Sequence, residues 1–299
     1  MKTVETFADV RVLGRGRVGL VPTMGYLHEG HLSLIHAARR ECDTVVVSLF
    51  VNPLQFGPNE DLASYPRDLK RDADLADAAG ADVLFAPPLE VMYPSEPLTT
   101  VTVGEVTEGM EGARRPGHFD GVATVVVKLL AGVAPDRSYF GRKDAQQLAT
   151  IRRMVLDLSF PTAVVGAPIV READGLALSS RNIFLDTRQR GAARSISRGL
   201  FAAAAAVTAG ERSGRMIERI ASAAVEGETG IDLDYATLAG QDTAKPVATL
   251  DRPAFLAVAA RVGSRRLLDN IHIDHAERGG WVPDLGTLLR EPSILYQEA

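Results

Sequence analysis

Residues 18–31 read VGLVPTMGYLHEGH and decide the fold. Residues 18–23 form a short apolar run with β-branched side chains, which predicts a strand that is buried on both faces. A turn that contains Gly25 follows, and the pattern then predicts a helix from about residue 31 to residue 41. A buried strand that leads through a tight turn into a helix is the first half of a βα unit.

The same alternation continues along the chain. Further strands are predicted at 44–51, 83–86, 137–140 and 163–170, and helices at 62–79 and 144–157. The segment 121–133 is ambiguous, since it is rich in β-branched residues, but its length favours a buried helix. Strands and helices in this order predict an α/β fold, a Rossmann-like doubly wound parallel sheet whose ligands bind beyond the carboxyl ends of the strands.

The pattern changes after about residue 170. Asp186 and Gln189 are spaced as a capping box, which predicts the start of a long helix, and a second helix is expected to end near residue 226. Closely spaced strands at 233–238, 254–261 and 266–273 predict an antiparallel meander. We therefore predict a Rossmann-like domain over 1–172 and a smaller α+β C-terminal lid domain over 173–299, with an extended tail that has no clear period.

Composition excludes several classes of protein. The 299 residues are 46% hydrophobic and 24% charged, which is the usage of ordinary globular chains rather than disordered or collagen-like ones. With 33 Lys and Arg against 38 Asp and Glu, the net charge of -5 argues against nucleic-acid binding. The single cysteine, Cys42, allows no internal disulfide. With no signal peptide and no long apolar run, a cytoplasmic protein without a membrane partner is expected.

His28 and His31 are three residues apart around the predicted helix start, so both rings can face one side. The first N–H groups of a helix lack partners within the helix and attract anions. The pattern therefore predicts a phosphate site, in which Gly30 lets the backbone approach the ligand. Two alternatives stay open at this point: a zinc pair, which would need further ligands, and two histidines without a common role.

The His-x-Gly-His motif at the end of a first strand resembles the signature of the nucleotidyltransferase superfamily, which includes class I aminoacyl-tRNA synthetases. Further motifs make the resemblance specific to one family: VPTMG at 21–25, FVNPLQF at 50–56, YPR at 65–67, RPGHF at 115–119, GRKDAQQ at 141–147 and READGLALSSRN at 171–182. Together they resemble the pantothenate synthetase family, the pantoate–β-alanine ligases. The resemblance covers about residues 18–185 and, more weakly, 267–271.

The resemblance implies condensation of pantoate with β-alanine to give pantothenate, with ATP and Mg. A free carboxylate is a poor acyl donor, so the family first forms pantoyl adenylate, with loss of pyrophosphate, and the amine then displaces AMP. One alternative is a related nucleotidyltransferase that activates a different small carboxylate or phosphate ester. Another is an inactive nucleotide- or tRNA-binding module, against which the intact His28, His31 and Lys143 and the acidic chain argue.

The resemblance also implies the site residues. The catalytic residues are His28, His31 and Lys143. The ATP-binding residues are Pro22, Thr23, Met24, His28, His31, Gly141, Lys143, Asp144, Val170, Leu178, Ser179, Ser180 and Arg181. Pantoate and β-alanine are expected to contact Met24, Asn52, Gln55 and Gln147, although a lone glutamine is more often a surface side chain. Mg is expected on the ATP phosphates with no direct protein ligand, and the protein is expected to be a homodimer.

The roles of other residues in and near these motifs are more ambiguous. Asp144 is expected to bind ribose or to cap a helix. Three further residues lie in family motifs: Tyr65, Arg115 and His118. Arg115 is expected to screen carboxylates and His118 to anchor a loop. Asp72 and Glu111 are interpreted as supports for metal or water, or as solvated surface charges.

The chain also departs from the family pattern. Arg142 stands where Glu is common, and we expect its side chain to point to solvent. Ala145 stands where an aromatic residue is common. The leader before residue 18 is short, which puts an early helix in doubt, and the tail continues beyond residue 271.

Overall fold

The computed structural model describes residues 1–296 except 59, 61 and 278. The chain forms two compact units. Unit 1 comprises Met1–Gly141 and Thr150–Ala167, and unit 2 comprises Arg142–Ala149 and the chain from Pro168 onward. A single boundary after residue 172 therefore does not separate the two units, because residues 142–149 belong to unit 2.

Unit 1 contains a parallel sheet of six strands among the described residues, in the order β1-β4-β3-β2-β5-β6. Its strands are β1 Lys2–Val4, β2 Val18–Thr23, β3 Thr44–Leu49, β4 Val83–Phe85, β5 Arg137–Gly141 and β6 Ala163–Ala167. The chain proceeds from β2 toward one edge and returns through β5 toward the other, which confirms the doubly wound fold.

The helices of unit 1 are α1 Phe7–Leu13, α2 Glu29–Glu41, α3 Leu69–Ala78, α4 Leu89–Met92, α5 Met110–Arg114 and α6 His118–Val133; α7 Ala145–Asp157 begins in unit 2 and ends in unit 1. The helical interpretation of 121–133 is confirmed by α6, whose 16 residues exceed the usual length of a strand. The short leader does contain a helix, α1, before β2.

Two predicted bounds before residue 172 are wrong. The helix expected from residue 62 begins only at Leu69, with Asp68 as its N-cap, because Pro66 restricts the preceding residue and interrupts the helix pattern. The strand expected over 163–170 is broken at Pro168, which has no N–H for a ladder. It becomes β6 and the short strand β7, Val170–Arg171.

Unit 2 packs two helices against an antiparallel sheet. The helices are α8 Thr187–Thr208 and α9 Gly214–Glu226, and the sheet has the order β11-β10-β9-β8. Its strands are β8 Asp232–Gly240, β9 Ala254–Val262, β10 Arg265–His275 and β11 Trp281–Asp284. The meander is confirmed, and so is the capping box, in which Gln189 N donates to Asp186 Oδ1 at 2.8 Å and Asp186 N donates to Gln189 Oε1 at 3.1 Å.

The tail is more regular than its sequence suggests. Besides β11, it contains β12, Thr287–Leu288, which pairs in parallel with β7. Two-residue strands have no visible period, so the sequence pattern could not reveal them. Among the residues that the structure describes, no helix combines the length and the apolar composition needed to cross a membrane.

Candidate active site

The turn from β2 into α2 carries His28 and His31. His28 is the N-cap of α2, and its Nδ1 accepts a hydrogen bond from Gly30 N at 3.1 Å. His31 Nδ1 accepts one from His28 N at 3.3 Å, so the two histidines form a reciprocal capping box. Their ring centroids are 4.1 Å apart. Since each Nδ1 accepts a hydrogen bond, a neutral ring carries its proton on Nε2, which makes each Nε2 a hydrogen-bond donor.

Gly30 is required by the close approach of the His28 ring. A Cβ atom at position 30 would lie 2.8 Å from His28 Cε1 and 2.9 Å from its Nδ1. Non-bonded carbon atoms pack at about 3.5 Å or more, so any side chain here would displace the imidazole. The glycine therefore fixes the position of His28, which is itself only 7% exposed.

Asp72 of α3 holds the same turn from the other side. Its Oδ2 accepts Tyr26 N at 2.7 Å and its Oδ1 accepts Leu27 N at 2.6 Å. Burial raises the pKa of Asp72, and the two backbone hydrogen bonds oppose that rise. Asp72 is 2% exposed, and Glu111 is buried as well, so the interpretation of these residues as solvated surface charges was wrong. Asp72 supports the histidine turn.

A cluster of polar side chains lies at the 3₁₀ turn that follows β3. Asn52 is 1% exposed, and its Nδ2 donates to Gln55 Oε1 at 3.2 Å and to Gly121 O at 3.0 Å. Gln55 Nε2 lies 3.0 Å from Met24 Sδ. The Tyr93 hydroxyl donates to Asn52 Oδ1 at 2.9 Å, and burial raises the pKa of Tyr93 to about 12. The structure thus brings Met24, Asn52 and Gln55 together.

Arg115 and His118 support the backbone of Gln55. His118 Nδ1 lies 2.8 Å from Gln55 O, and Arg115 Nη1 lies 3.0 Å from His118 Nε2. Burial, and then the Arg115 charge, lower the pKa of His118, so the neutral ring donates from Nδ1 and accepts at Nε2. Arg115 also binds Glu60 at 2.6 Å. Burial alone would raise the pKa of Glu60, but its hydrogen bond and charge contact with Arg115 lower it.

In unit 2, Lys143 lies on a 3₁₀ turn before α7, between Arg142 and Asp144. Asn270 Nδ2 donates to the carbonyl oxygens of Arg142 and Lys143 at 3.1 and 2.5 Å, and His272 Nε2 lies 3.2 Å from Arg142 O. Burial, and then the Arg142 charge, lower the pKa of His272 to about 4. Asp144, half of whose side chain is exposed, lies 3.6 Å from Lys143 Nζ. Two side chains of β10 therefore fix the backbone that carries Lys143.

The expectation that Arg142 points to solvent was wrong. Its Nη1 lies 3.0 Å from Asp274 Oδ2 and 3.2 Å from Asp284 Oδ2, and its side chain is 23% exposed. Burial opposes ionisation of Asp274, but hydrogen bonds from Gln241 and Arg142 lower its pKa. Arg142 is thus an ion-pair partner of two carboxylates rather than a solvated side chain.

A second 3₁₀ turn of unit 2, Ser180–Phe184, carries Arg181. Ser179 is its N-cap, with Oγ accepting Arg181 N at 3.3 Å. Leu178, 1% exposed, donates its N–H to Val170 O at 3.0 Å, which fastens the start of the turn to β7. The Arg181 side chain is half-buried.

The remaining predicted residues lie at element ends or on α7. Pro22 and Thr23 end β2, and Gly141 ends β5. Gln147 is half-buried in the first turns of α7, and Ser180 is 7% exposed. Unit 1 thus brings together the histidine turn and the amide cluster, each on its own strand end. Unit 2 carries Lys143, Gln147 and the Ser179–Arg181 turn.

The zinc alternative for His28 and His31 has no support in this geometry. Within the described ranges, no three His, Cys, Asp or Glu side chains lie close enough to hold one metal ion. Both Nδ1 atoms are already used by backbone N–H groups. The pair is therefore a helix cap.

Comparison with known families decides the class of this site. The family model described as pantoate-beta-alanine ligase matches residues 1–272.

The chain belongs to the pantoate–β-alanine ligase family.

A pantothenate synthetase of Heliobacterium modesticaldum is 51% identical over 280 residues, which are 92% of this chain and 100% of the relative. A crystal structure of pantothenate synthetase from Thermus thermophilus matches with a TM-score of 0.86 and 50% identity, over 90% of this chain and 98% of that one. The pantoate–β-alanine ligase of Francisella tularensis, complexed with beta-gamma ATP and β-alanine, matches with a TM-score of 0.74 and 33% identity, over 90% and 97%. This member of the pantoate–β-alanine ligase family is an ATP-using ligase that forms pantothenate.

Sequence reasoning about this ligase missed the contacts through which several residues build the site. Asp72 lies a few residues after the family motif YPR, but nothing local reveals that it binds the β2–α2 turn. Asn270 lies within 267–271, where the resemblance was weak, and Asp284 lies beyond the family match. Each of these residues acts through a contact that is distant in sequence.

Proposed function

We propose that this ligase works in two steps, through pantoyl adenylate, with the β2–α2 turn as a phosphate site. The proposal rests chiefly on one observation. His28 and His31 cap α2 with their Nδ1 atoms, which leaves Nε2–H as the donor of each ring. Donors fixed in advance at the N-terminus of a helix suit phosphoryl oxygens, because the helix dipole adds to the attraction.

In the first step, a pantoate carboxylate oxygen attacks the α-phosphorus of ATP and the bond to the pyrophosphate oxygen breaks. Negative charge builds on the phosphoryl oxygens, so the protein needs positioned donors and cations rather than a nucleophile. We assign the donors to His28 and His31. Lys143 and Arg181 supply positive charge, and Ser179 supplies a hydroxyl for the phosphates.

The other assignments follow the resemblance residue by residue. Asp144 accepts hydrogen bonds from the ribose hydroxyls. The remaining ATP contacts are Pro22, Thr23, Met24, Gly141, Val170, Leu178 and Ser180.

Mg is assigned to the phosphate oxygens of ATP. Mg prefers six oxygen ligands and is usually held by one or two carboxylates together with substrate phosphates. When bound, it would neutralise phosphate charge.

In the second step, the β-alanine amine attacks the acyl carbon, the bond to the AMP oxygen breaks and the amine loses a proton. Pantoate is held by Gln55 and Gln147, with Met24 and Asn52 beside it. An amide both donates and accepts, so it can bind a hydroxyl without added charge. The close contacts among Met24, Asn52 and Gln55 support this assignment.

The assembly and the location of the enzyme are proposed from the family pattern. We propose a homodimer, and a cytoplasmic enzyme whose one cysteine, Cys42, is buried. Analytical ultracentrifugation of the purified chain tests the first proposal, and cell fractionation tests the second.

One experiment tests the two-step reaction. The protein is mixed with Mg, ATP and pantoate, and pyrophosphate is measured before β-alanine is added; AMP is measured afterward. We expect a burst of pyrophosphate that requires pantoate, followed by AMP release that requires β-alanine. Pyrophosphate release that does not depend on pantoate would overturn the proposed first step.

A further inference from the structure

Residues 274–277 and 279–296 lie beyond the part of the chain that the family model matches, and we refer to them as the C-terminal strap. The C-terminal strap is folded onto unit 2. It begins at the end of β10, returns as β11 with Asp274 opposite Val282, and continues into β12. It therefore has defined contacts that can be examined one by one.

The first contact fastens the strap beside Lys143. Asp284 at the end of β11 and Asp274 at the end of β10 both bind Arg142 Nη1, at 3.2 and 3.0 Å. Arg142 directly precedes Lys143, and its carbonyl is already held by Asn270. With both its side chain and its carbonyl held, residue 142 leaves the backbone before Lys143 little freedom to rotate.

The second contact fastens the strap to the strand that leads into the Arg181 turn. Thr287 N donates to Ile169 O at 2.7 Å, and Leu289 N donates to Arg171 O at 2.8 Å. Arg171 in return donates from Nε to Leu285 O at 2.6 Å. Gly286 has φ +81°, and a Cβ there would lie 2.4 Å from Ile169 O, so the close approach depends on this glycine.

The third contact lies at the far end of the strap. The Tyr296 hydroxyl donates to Glu172 Oε1 at 2.9 Å and accepts from Arg190 Nη1 at 2.7 Å. The same Glu172 oxygen accepts Asn182 Nδ2 at 3.0 Å, and Asn182 directly follows Arg181. Glu172 is 5% exposed, so these partners satisfy a carboxylate that has little access to water.

We propose that the C-terminal strap is a positioning element for the first step of the reaction, which rests on the proposed roles of Lys143 and Arg181. It fixes the turn of Lys143 through Asp284 and Arg142, and the turn of Arg181 through β12 and Tyr296. The strap residues act through these neighbours and do not touch the reactants. A cation held in place in advance stabilises developing charge better than one that must be ordered during the reaction.

The first test replaces Asp284 by Ala and compares it with Glu291→Ala, which removes an exposed carboxylate of the same strap. In Asp284→Ala we expect KM for ATP to rise by roughly threefold to tenfold, the scale of one hydrogen-bonded, partly exposed charge pair. Pantoate-dependent pyrophosphate release should slow by a similar factor. KM for β-alanine should not change, and Asp284→Glu should restore part of the loss. Glu291→Ala should match the wild type.

A purely structural role predicts a different result. Asp284→Ala would then lower the melting temperature and the active fraction, with both KM values unchanged, and this outcome would overturn the proposal. If Asp284→Ala does not fold, Tyr296→Phe serves as the second variant, because it removes only the hydroxyl. It should raise KM for ATP by roughly twofold to threefold; an unchanged KM for ATP in Tyr296→Phe would then overturn the proposal.

Lys143→Ala and Arg181→Ala separate failure of the strap from failure of the proposed function. If neither variant slows pyrophosphate release, the proposed roles of those cations are wrong, and the strap proposal falls with them. If both variants slow it while Asp284→Ala and Tyr296→Phe behave as Glu291→Ala does, only the strap proposal fails.

Discussion

The two turns that carry the proposed phosphate-binding groups are built in opposite ways. The β2–α2 turn is held by acceptors: Asp72 and the two Nδ1 atoms of the histidine pair take up its backbone N–H groups. The Lys143 turn is held by donors, since Asn270 and His272 bind its carbonyl oxygens. A neutral amide and a neutral imidazole can hold carbonyl groups without neutralising a nearby lysine, whereas a carboxylate cannot donate to them.

The two turns also differ in how far along the chain their supports lie. His31 is three residues from His28, and Asp72 is 45 residues from Leu27. Asn270, in contrast, is 127 residues from Lys143. Local support leaves a pattern in the sequence, and remote support does not. The following variants test how strongly each kind of support acts.

The largest effect is expected at the local turn. His31→Ala removes a proposed donor at the developing phosphoryl charge, so kcat should fall by about one hundredfold to one thousandfold. His36→Ala is the control, because this exposed histidine lies on the same helix and contacts the Ala79 carbonyl. The rate of pantoate-dependent ATP–pyrophosphate exchange is the measurement. Near-wild-type exchange in His31→Ala would remove this residue from the proposed mechanism.

Asp72→Ala should lower the free energy of unfolding by about 2 to 4 kcal/mol, because it leaves the buried N–H group of Leu27 and the half-buried N–H group of Tyr26 without an acceptor. It should also lower kcat about tenfold, since the histidine turn loses its support. Asp74→Ala on the same helix is the control, because its ion pair with Lys70 is exposed. Urea unfolding and steady-state kinetics measure the two effects. A stable Asp72→Ala variant with normal kcat would show that the turn needs no support from α3.

His272 should make the stability of the donor-held turn depend on pH. Its pKa is about 4 in the folded chain and near 6.5 when unfolded, so the unfolded chain binds more protons between these values. Stability is therefore present above about pH 6.5 and is lost as the pH falls toward 4. From pH 7 to pH 5 the loss should be about 2 kcal/mol.

The comparison of His272→Gln with wild type isolates this contribution, and the exposed His275 provides the matched variant, His275→Gln. The pH dependence of urea unfolding should become flatter in His272→Gln alone. An identical slope in all three proteins would show that His272 is protonated as easily in the folded chain as in water.

The smallest effect is expected for Asn270→Ala. It removes the donor to two carbonyl oxygens, of which Arg142 O still has His272 as a partner, so the free energy of unfolding should fall by about 1 kcal/mol. KM for ATP should rise by roughly threefold, because the Lys143 turn becomes less ordered. Titration of ATP in the pyrophosphate-release assay measures this change. An unchanged KM would mean that remote support holds the fold but does not position the lysine.

Much of the fold could be predicted because its determinants are local. The bounds of β2 follow from an apolar run next to a turn, and the start of α8 follows from a capping box four residues long. The start of α3 was misplaced because helical periodicity was given more weight than Pro66. β12 was missed, since its pairing with β7 depends on residues more than a hundred positions away.

The candidate site also has a part that could be predicted from local sequence and a part that could not. The histidine turn could be proposed from the spacing of His28 and His31, because both act within one helical turn. The buried position of Asp72 and the ion pair of Arg142 could not, since a charged residue on a predicted helix or turn is usually solvated. Their roles follow from partners that only the folded chain brings near.

The remote support of Lys143 has a consequence for synthesis of the chain on the ribosome. Residues 1–167, which contain the parallel sheet and the histidine turn, are complete before β10 has been made. Lys143 has emerged by then, but Asn270 follows only 127 residues later, and Asp284 follows after that. A nascent chain therefore completes its histidine turn before the partners of its lysine turn have been made. If Lys143 and Asp284 have the roles proposed above, we expect little ATP turnover by unfinished chains until residue 284 has left the exit tunnel.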